Sequence, residues 1–390
     1  MSGPARYTPP MPLRLVATCA LGLEELLAGE LAALGAAGAR RETGAVTFAG
    51  GWPEVQRANL RLRTANRVLV ELASWPAADG DALAAGAEAL TAGRRSWGGI
   101  GAGDLFDPAR TLAVRATSSR SRVRDVRWAA LRVKDGLVDG QRRRFGRRSS
   151  VARRDPDLPL RLWLHDDRAT LLLDTSGEPL DRRGYRLATA AATLRETLAA
   201  AVVLASGWDG RGPVVDPMCG AGTLLAEAAW IALGRSPGAL RRGWAFERLP
   251  GFDPRALAAV RAEPLPAPGP DVRLYGTDLD PAALAAAGEN LGRAGLADRA
   301  VLLEQDGLEF APPPGPGLVL VNPPYGERLE GEPELWRRLG DLLKRRYAGW
   351  TAAVLAGDPG RGKWIGLKPR RRLPVKNGPL DARILVFDLY

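Results

Sequence analysis

The sequence predicts an α/β protein whose C-terminal half forms a doubly wound parallel sheet, preceded by two smaller α+β units. From about residue 186, helical patterns alternate with short apolar runs, which is typical of strand-helix-strand units in a parallel sheet. Before that point, two groups of strands and helices flank a Pro-, Ala-, Gly- and Asp-rich stretch at residues 76–81. With 46% hydrophobic and 25% charged residues, the 390-residue chain has an ordinary globular composition.

The first unit, residues 13–78, begins with an apolar run over 13–17 that predicts a strand. Leucines at helical spacing predict a helix over 21–34, which Gly35 and Gly38 are expected to end. The remaining predicted elements are a strand over 46–48, a helix over 52–59 and a strand over 67–75. This order suggests a small ferredoxin-like unit.

The second unit, residues 79–180, mixes strands and helices in the same way. Its predicted elements are a helix over 82–92, a strand over 111–116, a long amphipathic helix over 125–141, and strands over 160–164 and 169–174. A turn-rich connector over 177–184 leads into the third unit, residues 186–390.

The third unit supplies the parallel sheet. Helices are predicted over 194–206, 223–233 and 281–294. Strands are predicted over 214–216, 273–278, 301–305, 318–321, 351–356 and 384–389.

Positive charge is concentrated in the second unit. The chain carries a net charge of +11, and residues 110–154 hold fifteen basic side chains against three acidic ones. Such a cluster predicts a polyanionic partner, most simply a nucleic acid, although a solvated charged surface is the alternative. The side chains expected to contact nucleic acid are Arg120, Arg122, Arg124, Arg127, Lys134, Arg142, Arg143, Arg144, Arg147 and Arg148.

The composition argues against several other classes of protein. Two cysteines, Cys19 and Cys219, cannot form a disulfide framework, and with His165 as the single histidine the usual zinc ligand sets are absent. No metal is therefore expected. The apolar runs are too short for a membrane helix, and no signal peptide is recognised, so we expect no membrane association and a cytoplasmic location.

Polar and glycine residues follow three predicted strands of the third unit. The first strand leads into Asp216-Pro217-Met218-Cys219-Gly220-Ala-Gly222-Thr223, where glycines let the backbone approach a ligand. Asp278 ends the next strand and can accept both hydroxyls of a ribose, while Asp280 before Pro281 is the better helix cap. Asp306 ends a third strand and could accept an adenine amine. Each signal alone fits an ordinary turn, but together they predict a nucleoside cofactor.

The fourth strand ends in Asn322-Pro323-Pro324-Tyr325. Two prolines fix the backbone so that the Asn322 amide oxygen and the Pro323 carbonyl can point into the cleft. Accepting both hydrogens of an exocyclic amine would localise its lone pair and aim it at an electrophile. Tyr325 offers a ring on which an extruded base can stack.

Several motifs go beyond a generic nucleotide-binding pattern. They lie at residues 184–186, 194–201, 206–208, 216–225, 237–238, 322–329 and 376–381. In these motifs the C-terminal half resembles class I S-adenosylmethionine-dependent RNA methyltransferases. The whole chain is similar to the N-terminal, guanine-N2 half of the fused bacterial RlmKL large-subunit rRNA methyltransferases. That resemblance implies a Rossmann-like methyltransferase domain after a ferredoxin-like domain and a THUMP RNA-binding domain.

The resemblance also implies the activity, which is methyl transfer from S-adenosyl-L-methionine to guanine N2 in large-subunit rRNA. The expected amine-binding residues are Asn322, Pro323, Pro324 and Tyr325. The expected cofactor-binding residues are Asp216, Pro217, Met218, Cys219, Gly220, Gly222, Thr223, Asp278, Leu279, Asp306, Gly307 and Asn322. Two alternatives remain open: an N6-adenine methyltransferase acting on RNA or DNA, and a non-catalytic RNA-binding or ribosome assembly factor.

Overall fold

The computed structural model describes residues 12–186, 194–324, 332–357 and 360–390. Within these ranges the strands form two seven-stranded sheets and one two-stranded ribbon. One large sheet comes from the N-terminal half of the chain and the other from the C-terminal half. The predicted fold class is confirmed, with a doubly wound sheet after an α+β region.

The N-terminal half contains one large sheet with helices packed against it. Its strands are β1 (Leu13–Thr18), β2 (Ala37–Glu42), β3 (Ala45–Gly50), β4 (Arg67–Pro76), β5 (Ser96–Trp97), β6 (Ile100–Gly101), β7 (Leu112–Ser119), β8 (Leu158–His165) and β9 (Arg168–Asp174). Its helices are α1 (Glu24–Ala33), α2 (Trp52–Arg61), α3 (Gly80–Ala92), α4 (Ala102–Leu105) and α5 (Val126–Phe145). The sheet has the spatial order β2-β3-β1-β4-β9-β8-β7, and β5 and β6 form the separate ribbon.

Strand β2 was not predicted from the sequence. All six of its side chains are exposed, so it has no apolar face that a pattern could reveal. Its pairing with β3 places Gly38 inside the strand, beside an irregularity in register. The preceding helix ends at Ala33, and Gly35 follows with a φ of +73°. Gly38 therefore does not end the helix.

The first two predicted units share the N-terminal sheet. Strand β4 closes the first unit and pairs antiparallel with β9, the last strand of the second unit. The sheet then continues through β8 to β7, which pairs in parallel with β8 and forms the edge. Residues of the two units consequently contribute to one hydrophobic core, in which Leu15, Val70 and Leu171 are fully buried.

The C-terminal half contains the doubly wound sheet. Its strands are β10 (Val214–Asp216), β11 (Leu274–Asp278), β12 (Ala300–Glu304), β13 (Leu318–Val321), β14 (Thr351–Ala356), β15 (Arg371–Asn377) and β16 (Leu380–Asp388). Its α-helices are α6 (Glu196–Ala205), α7 (Thr223–Ala232), α8 (Pro254–Ala262), α9 (Pro281–Arg293) and α10 (Glu332–Arg346). Single turns of 3-10 helix lie at Ala245–Arg248, Ala297–Arg299, Gly307–Glu309 and Arg361–Ile365.

The order of this sheet is β12-β11-β10-β13-β14-β16-β15. The strands from β12 to β14 are parallel, while β16 runs antiparallel to β14 and β15 antiparallel to β16. After β10 the chain moves to one side for β11 and β12, then returns to the other side for β13 and β14. The strand order therefore reverses beside β10, and open α/β sheets bind ligands outside the carboxyl ends of the strands at such a point.

Three C-terminal elements were not predicted from the sequence: α8, α10 and β15. Helix α10 buries Trp336, Leu339 and Leu343 on one side, while its sequence is dominated by charged residues. Strand β15 has one buried residue, Val375, and pairs with β16 as a hairpin. Strand β15 therefore depends on tertiary contacts, whereas Trp336, Leu339 and Leu343 give α10 a helical apolar spacing that the sequence analysis overlooked.

The two halves are joined by buried contacts. Arg183, which precedes the C-terminal sheet, is 1% exposed and donates to the carbonyl of Arg63 in the N-terminal half and to Glu227 on α7. Arg57 on α2 makes two hydrogen bonds with Glu263 just after α8, at 2.8 and 3.1 Å. These contacts fix the basic N-terminal region against the C-terminal half. No helix among the described residues has both the length and the apolarity to cross a membrane.

Candidate functional site

A cavity of about 410 Å³ lies at the carboxyl ends of the central strands of the C-terminal sheet. Residues that follow β10, β11, β12 and β13 line it, together with the start of α7 and one side of α10. The lining residues are Leu194, Asp216, Pro217, Met218, Cys219, Gly220, Ala221, Thr223, Leu224, Asp278, Leu279, Gln305, Asp306, Gly307, Leu308, Asn322, Pro324, Leu335 and Arg338. The structure thus brings together most of the residues predicted to hold the cofactor and the amine.

The glycine turn after β10 forms one wall of the cavity. Gly220 has a φ of +50°, and a Cβ there would meet no atom within 4 Å, so its backbone faces open space. The N–H of Cys219 donates to the carbonyl of Thr277 on the neighbouring strand at 2.9 Å, which anchors the turn to the sheet. Gly222 caps α7 with a φ of +75° and packs toward Ala287, so it shapes the turn without lining the cavity.

Asp278 connects this turn to the end of β11. Its Oδ2 accepts the backbone N–H of Gly220 at 2.8 Å, and its Oδ1 accepts that of Asp280 at 3.0 Å. Asp280 in turn caps α9 by accepting the N–H of Ala282 at 2.9 Å. Each carboxylate oxygen has a further lone pair. Asp278 therefore retains acceptor capacity toward the cavity, and Leu279 beside it is 70% exposed.

Asp216 lies deeper in the cavity. It is 1% exposed, and its Oδ1 accepts the N–H of Met218 at 3.1 Å. Burial, together with a smaller effect of the nearby carboxylate of Asp278, raises the pKa of Asp216 to about 8, although the Met218 hydrogen bond opposes the shift. The raised pKa favours the protonated form of Asp216 at neutral pH.

Asp306 begins the turn after β12. Its Oδ1 accepts the N–H of Leu308 at 2.9 Å, and its Oδ2 forms an ion pair with Arg338 on α10 at 2.8 Å. Burial disfavours the charged carboxylate, but the hydrogen bonds from Leu308 and Arg338 outweigh it and lower the pKa of Asp306. Gly307 follows where a Cβ would lie 1.8 Å from the carbonyl oxygen of Pro217, so only glycine fits there.

Asn322 directly follows β13 and reaches the cavity. Its Oδ1 is buried and has no hydrogen-bond partner among the described residues. A buried acceptor without a partner is costly, because it has lost water without a replacement. Pro324 also lines the cavity, whereas Pro323 is buried beside it and does not. Tyr325 lies outside the residues that the structure describes.

The arrangement fits a nucleoside cofactor. The open backbone at Gly220, the acceptor capacity of Asp278 and the close packing at Gly307 form a cradle, and the unpartnered Asn322 oxygen lies in the same cavity. Within the described ranges, no group of three His, Cys, Asp or Glu side chains could hold a metal ion.

Sequence reasoning missed seven lining residues. They are Leu194, Ala221, Leu224, Gln305, Leu308, Leu335 and Arg338. Four of them adjoin predicted residues in the same turns, so the motif positions could have indicated them. Leu335 and Arg338 lie on the unpredicted helix α10, and Leu194 comes from the start of the third unit, so only the tertiary fold reveals these three.

The predicted nucleic-acid residues lie around α5 and the loops that flank it. Most already have partners: Arg120 pairs with Asp166, Arg122 with Asp167, and Arg144 donates to the carbonyls of Thr91 and Gly93. Partners are also present at Lys134, Arg142, Arg143 and Arg147. Exposed side chains without a partner among the described residues remain at Arg124, Arg127 and Arg148. The cluster therefore forms a positive surface in which only part of the charge is unpaired.

Three family models match different parts of the chain. The RMKL-like methyltransferase domain model matches residues 183–385, the RlmL ferredoxin-like domain model matches 14–69, and the THUMP domain model matches 100–174. The chain belongs to the RMKL-like methyltransferase family. The resemblance derived from the sequence motifs is confirmed.

Relatives in this family cover nearly the whole chain. A Synechocystis protein assigned as the RNA methyltransferase slr0064 is 35% identical over 96% of both chains. The ribosomal RNA large subunit methyltransferase K/L of Syntrophotalea carbinolica is 39% identical over 97% of this chain but only 54% of its own length. The chain thus spans about half the length of the K/L relatives it matches.

Solved structures show the same architecture. A methyltransferase complexed with SAH superposes with a TM-score of 0.84 at 28% identity, covering 97% of this chain and 99% of the other. A predicted N6-adenine-specific DNA methylase from Listeria monocytogenes has a TM-score of 0.84 at 29% identity and covers 97% of both chains. The Listeria structure is named for a DNA substrate, whereas the Synechocystis and Syntrophotalea relatives are named for RNA.

Proposed function

We propose that this chain transfers a methyl group from S-adenosyl-L-methionine to the exocyclic N2 amine of a guanosine in large-subunit rRNA. The observation that carries the proposal is the buried, unpartnered Oδ1 of Asn322 in the strand-end cavity. An amine hydrogen would give this acceptor the hydrogen bond that it lacks. RNA as the substrate is supported by the THUMP match and by the names of the relatives.

Different strand-end residues bind different parts of the cofactor. The open backbone at Gly220 faces the methionine portion, the free lone pairs of Asp278 accept the ribose hydroxyls, and Asp306 accepts the adenine amine. Met218, Cys219, Thr223, Leu279 and Leu308 enclose these polar contacts. The bound cofactor supplies a methyl group on a positively charged sulfur.

Asn322 acts on the amine of the substrate. A guanine amine delocalises its lone pair into the ring and is a poor nucleophile. A hydrogen bond to the Asn322 oxygen favours the geometry in which that lone pair points at the methyl carbon; the Pro323 carbonyl, expected from the sequence as a second acceptor, belongs to a residue that does not line the cavity. Catalysis then depends on positioning and electrostatics, without a covalent enzyme intermediate. The methylated amine is acidic and loses its proton after transfer.

RNA affinity comes from the basic N-terminal half, and binding should weaken steeply with salt. Tyr325 is the residue proposed from the sequence to stack on the extruded base. An rRNA substrate also implies a cytoplasmic location, as the sequence predicts.

The closest alternative is methylation of adenine N6, since an Asn-Pro-Pro-Tyr motif can hold either amine. The name of the Listeria structure favours this alternative. The non-catalytic alternative would require a chain that does not bind the cofactor.

One experiment separates these functions. Large-subunit rRNA from a strain lacking the gene is incubated with the purified chain and isotopically labelled S-adenosylmethionine, digested to nucleosides and analysed by mass spectrometry. Label in N2-methylguanosine supports the proposal, and label in N6-methyladenosine replaces it with the alternative. Absence of both label and cofactor binding would favour the non-catalytic function.

A further inference from the structure

A second cavity, of about 320 Å³, lies between the N-terminal sheet and the methyl-transfer half. Its lining residues are Arg67, Ala113, Arg115, Arg153, Arg154, Asp155, Pro156, Pro159, Leu160, Arg161, Asp174, Gly177, Glu178, Pro179 and Arg248. Six of them are arginines and three are acids. We call this cavity the arginine cleft; only part of it belongs to the basic stretch at residues 110–154.

Two arginines of the cleft lie side by side on adjacent strands. Arg115 on β7 is in register with Arg161 on β8. Like charges opposite each other on a sheet are destabilising unless a counter-charge lies between them. Asp174 supplies one counter-charge, but its Oδ2 already binds Arg161 at 2.8 Å and Arg67 at 2.6 Å. Its Oδ1 accepts the N–H groups of Ser176 and Gly177, so Asp174 cannot neutralise a third arginine.

The remaining arginines are unpaired. Arg115, Arg153 and Arg154 are exposed and have no hydrogen-bond or ion-pair partner among the described residues. Arg248 reaches the cleft from the methyl-transfer half, where its Nη2 donates to the carbonyl of Pro156 at 3.0 Å. Its Nε is buried without a partner in the described part of the chain. Burial is the main cause that lowers the pKa of Arg67; Asp174 opposes the shift, and the positive charges of Arg161 and Arg115 add to it.

We infer that the arginine cleft binds a backbone phosphate of the RNA substrate. Arginine is suited to this ligand because its planar guanidinium can make two parallel hydrogen bonds to phosphate oxygens. Residues of both halves line the cleft, so a phosphate held there is fixed relative to both the basic sheet and the catalytic half. The inference rests on the proposed RNA substrate, but it does not depend on which base is methylated.

The edge strand β7 gives the RNA a path from the cleft. A second groove, between β7 and α5, shares Ala113, Arg115 and Arg153 with the cleft. This groove also contains Leu131 and Val151, each more than half exposed, and Arg127. Single-stranded nucleic acid presents charged phosphates and the faces of its bases. Unpaired guanidinium groups can bind the phosphates, and exposed apolar side chains can contact the bases.

The test compares two triple variants of the full chain. In the first, Arg115→Gln, Arg153→Gln and Arg154→Gln remove the unpaired charges of the cleft. In the control, Arg94→Gln, Arg242→Gln and Arg255→Gln remove three exposed arginines elsewhere. The affinity for a short fluorescein-labelled single-stranded RNA is measured by anisotropy over a salt series. The first variant should bind the RNA at least about tenfold more weakly than the unsubstituted chain. The slope of log K against log salt concentration should become shallower by about 0.7 for each phosphate contact that is lost.

Two further readouts separate binding from folding. S-adenosylhomocysteine should bind the cleft variant as it binds the unsubstituted chain. The melting temperature without RNA should not fall, because Arg115→Gln removes the repulsion from Arg161. A lower melting temperature with unchanged RNA affinity would mean that these arginines are structural, and would overturn the inference.

Other outcomes of these measurements also test whether the arginine cleft binds an RNA phosphate. Equal loss of RNA affinity in both triple variants would assign the effect to net charge and overturn the inference. Binding of inorganic phosphate to the unsubstituted chain but not to the cleft variant, with equal RNA affinities in the two, would make the ligand a free anion and overturn the inference. Normal RNA binding with methylation of adenine would overturn the guanine proposal and leave the cleft intact. Failure of the unsubstituted chain to bind RNA would overturn both.

Discussion

The carboxylate of Asp278 accepts the backbone N–H of Gly220 at 2.8 Å, so the acid that ends β11 holds the glycine turn that follows β10. The same side chain accepts the N–H of Asp280. Asp278 thus has two tasks, which are to fix the shape of the cavity wall and to offer its remaining lone pairs to a ribose. The sequence indicated only the second.

Replacing this carboxylate should weaken cofactor binding. In Asp278→Asn the amide oxygen can accept only one of the two N–H groups, and a hydrogen bond to a charged group is worth about 1.5–3 kcal/mol. We expect the affinity for S-adenosylhomocysteine, measured by calorimetry, to fall by about tenfold or more. Asp280→Asn is the control, because asparagine caps a helix as well as aspartate does. Equal affinities in the two variants would contradict the role of Asp278.

Asn322→Ala should abolish methyl transfer while leaving cofactor binding nearly unchanged. The variant removes the buried acceptor proposed to hold the amine, and loss of one pre-positioned hydrogen-bonding group in an active site costs about 10²–10³ in kcat. Methyl incorporation into rRNA gives kcat, and calorimetry gives the affinity for the cofactor. If both fall by the same factor, Asn322 belongs to the cofactor site and not to the amine site.

Gly307→Ala should destabilise the chain and its cofactor site. The new Cβ would lie 1.8 Å from the carbonyl oxygen of Pro217, so one of the two turns must move. Gly292→Ala is the matched control, because a Cβ there meets nothing within 4 Å and alanine in a helix is more stable than glycine by about 0.5–1 kcal/mol. Thermal unfolding should show a lower melting temperature for the first variant only. Unchanged stability in Gly307→Ala would refute the close packing.

Asp216 should make the stability of the chain depend on pH. Its pKa is raised from 3.8 to about 8 in the folded protein, chiefly by burial, so the folded state binds a proton that the unfolded state releases in this interval. The contribution of Asp216 to the free energy of unfolding is therefore largest below pH 4, and it decreases to zero as the pH rises toward 8. Asp216→Asn should flatten this part of the profile in denaturation measured across the interval.

The control for this prediction is Asp271→Asn, at an exposed position outside the cavity. It should leave the pH profile as it is in the unsubstituted chain. Identical profiles for the unsubstituted chain and Asp216→Asn would show that Asp216 does not titrate in this range. Glu196 contributes in the same direction, because burial raises its pKa to about 7, and it titrates in both variants.

The parts of the fold predicted from the sequence are those with a strong local pattern. Strands such as β13 are short continuous apolar runs, and the turns after them carry glycine or acidic residues whose chemistry is local. The position of the cavity followed from the rule that parallel strands expose their carboxyl ends on one side. These turns therefore identified the site before any tertiary contact was known.

Strands β2 and β15, which the sequence analysis missed, depend on long-range contacts. Strand β2 has no buried face, and β15 is defined by its hairpin with β16. The pairing of Asp306 with Arg338 joins the turn after β12 to α10, which no local spacing could reveal. Likewise, the basic stretch predicted a charged surface, but which arginines are paired depends on acids such as Asp166 and Asp167 at the turn between β8 and β9.

The pairing of β4 with β9 has a consequence for dissecting the chain. A fragment cut after residue 78 would expose a bare strand edge on each piece, and such edges promote aggregation. Loss of RNA affinity in a truncated protein would then report misfolding as readily as missing contacts. For the same reason, grafting the second unit onto an unrelated enzyme would require the recipient to present a strand that replaces β4 beside β9.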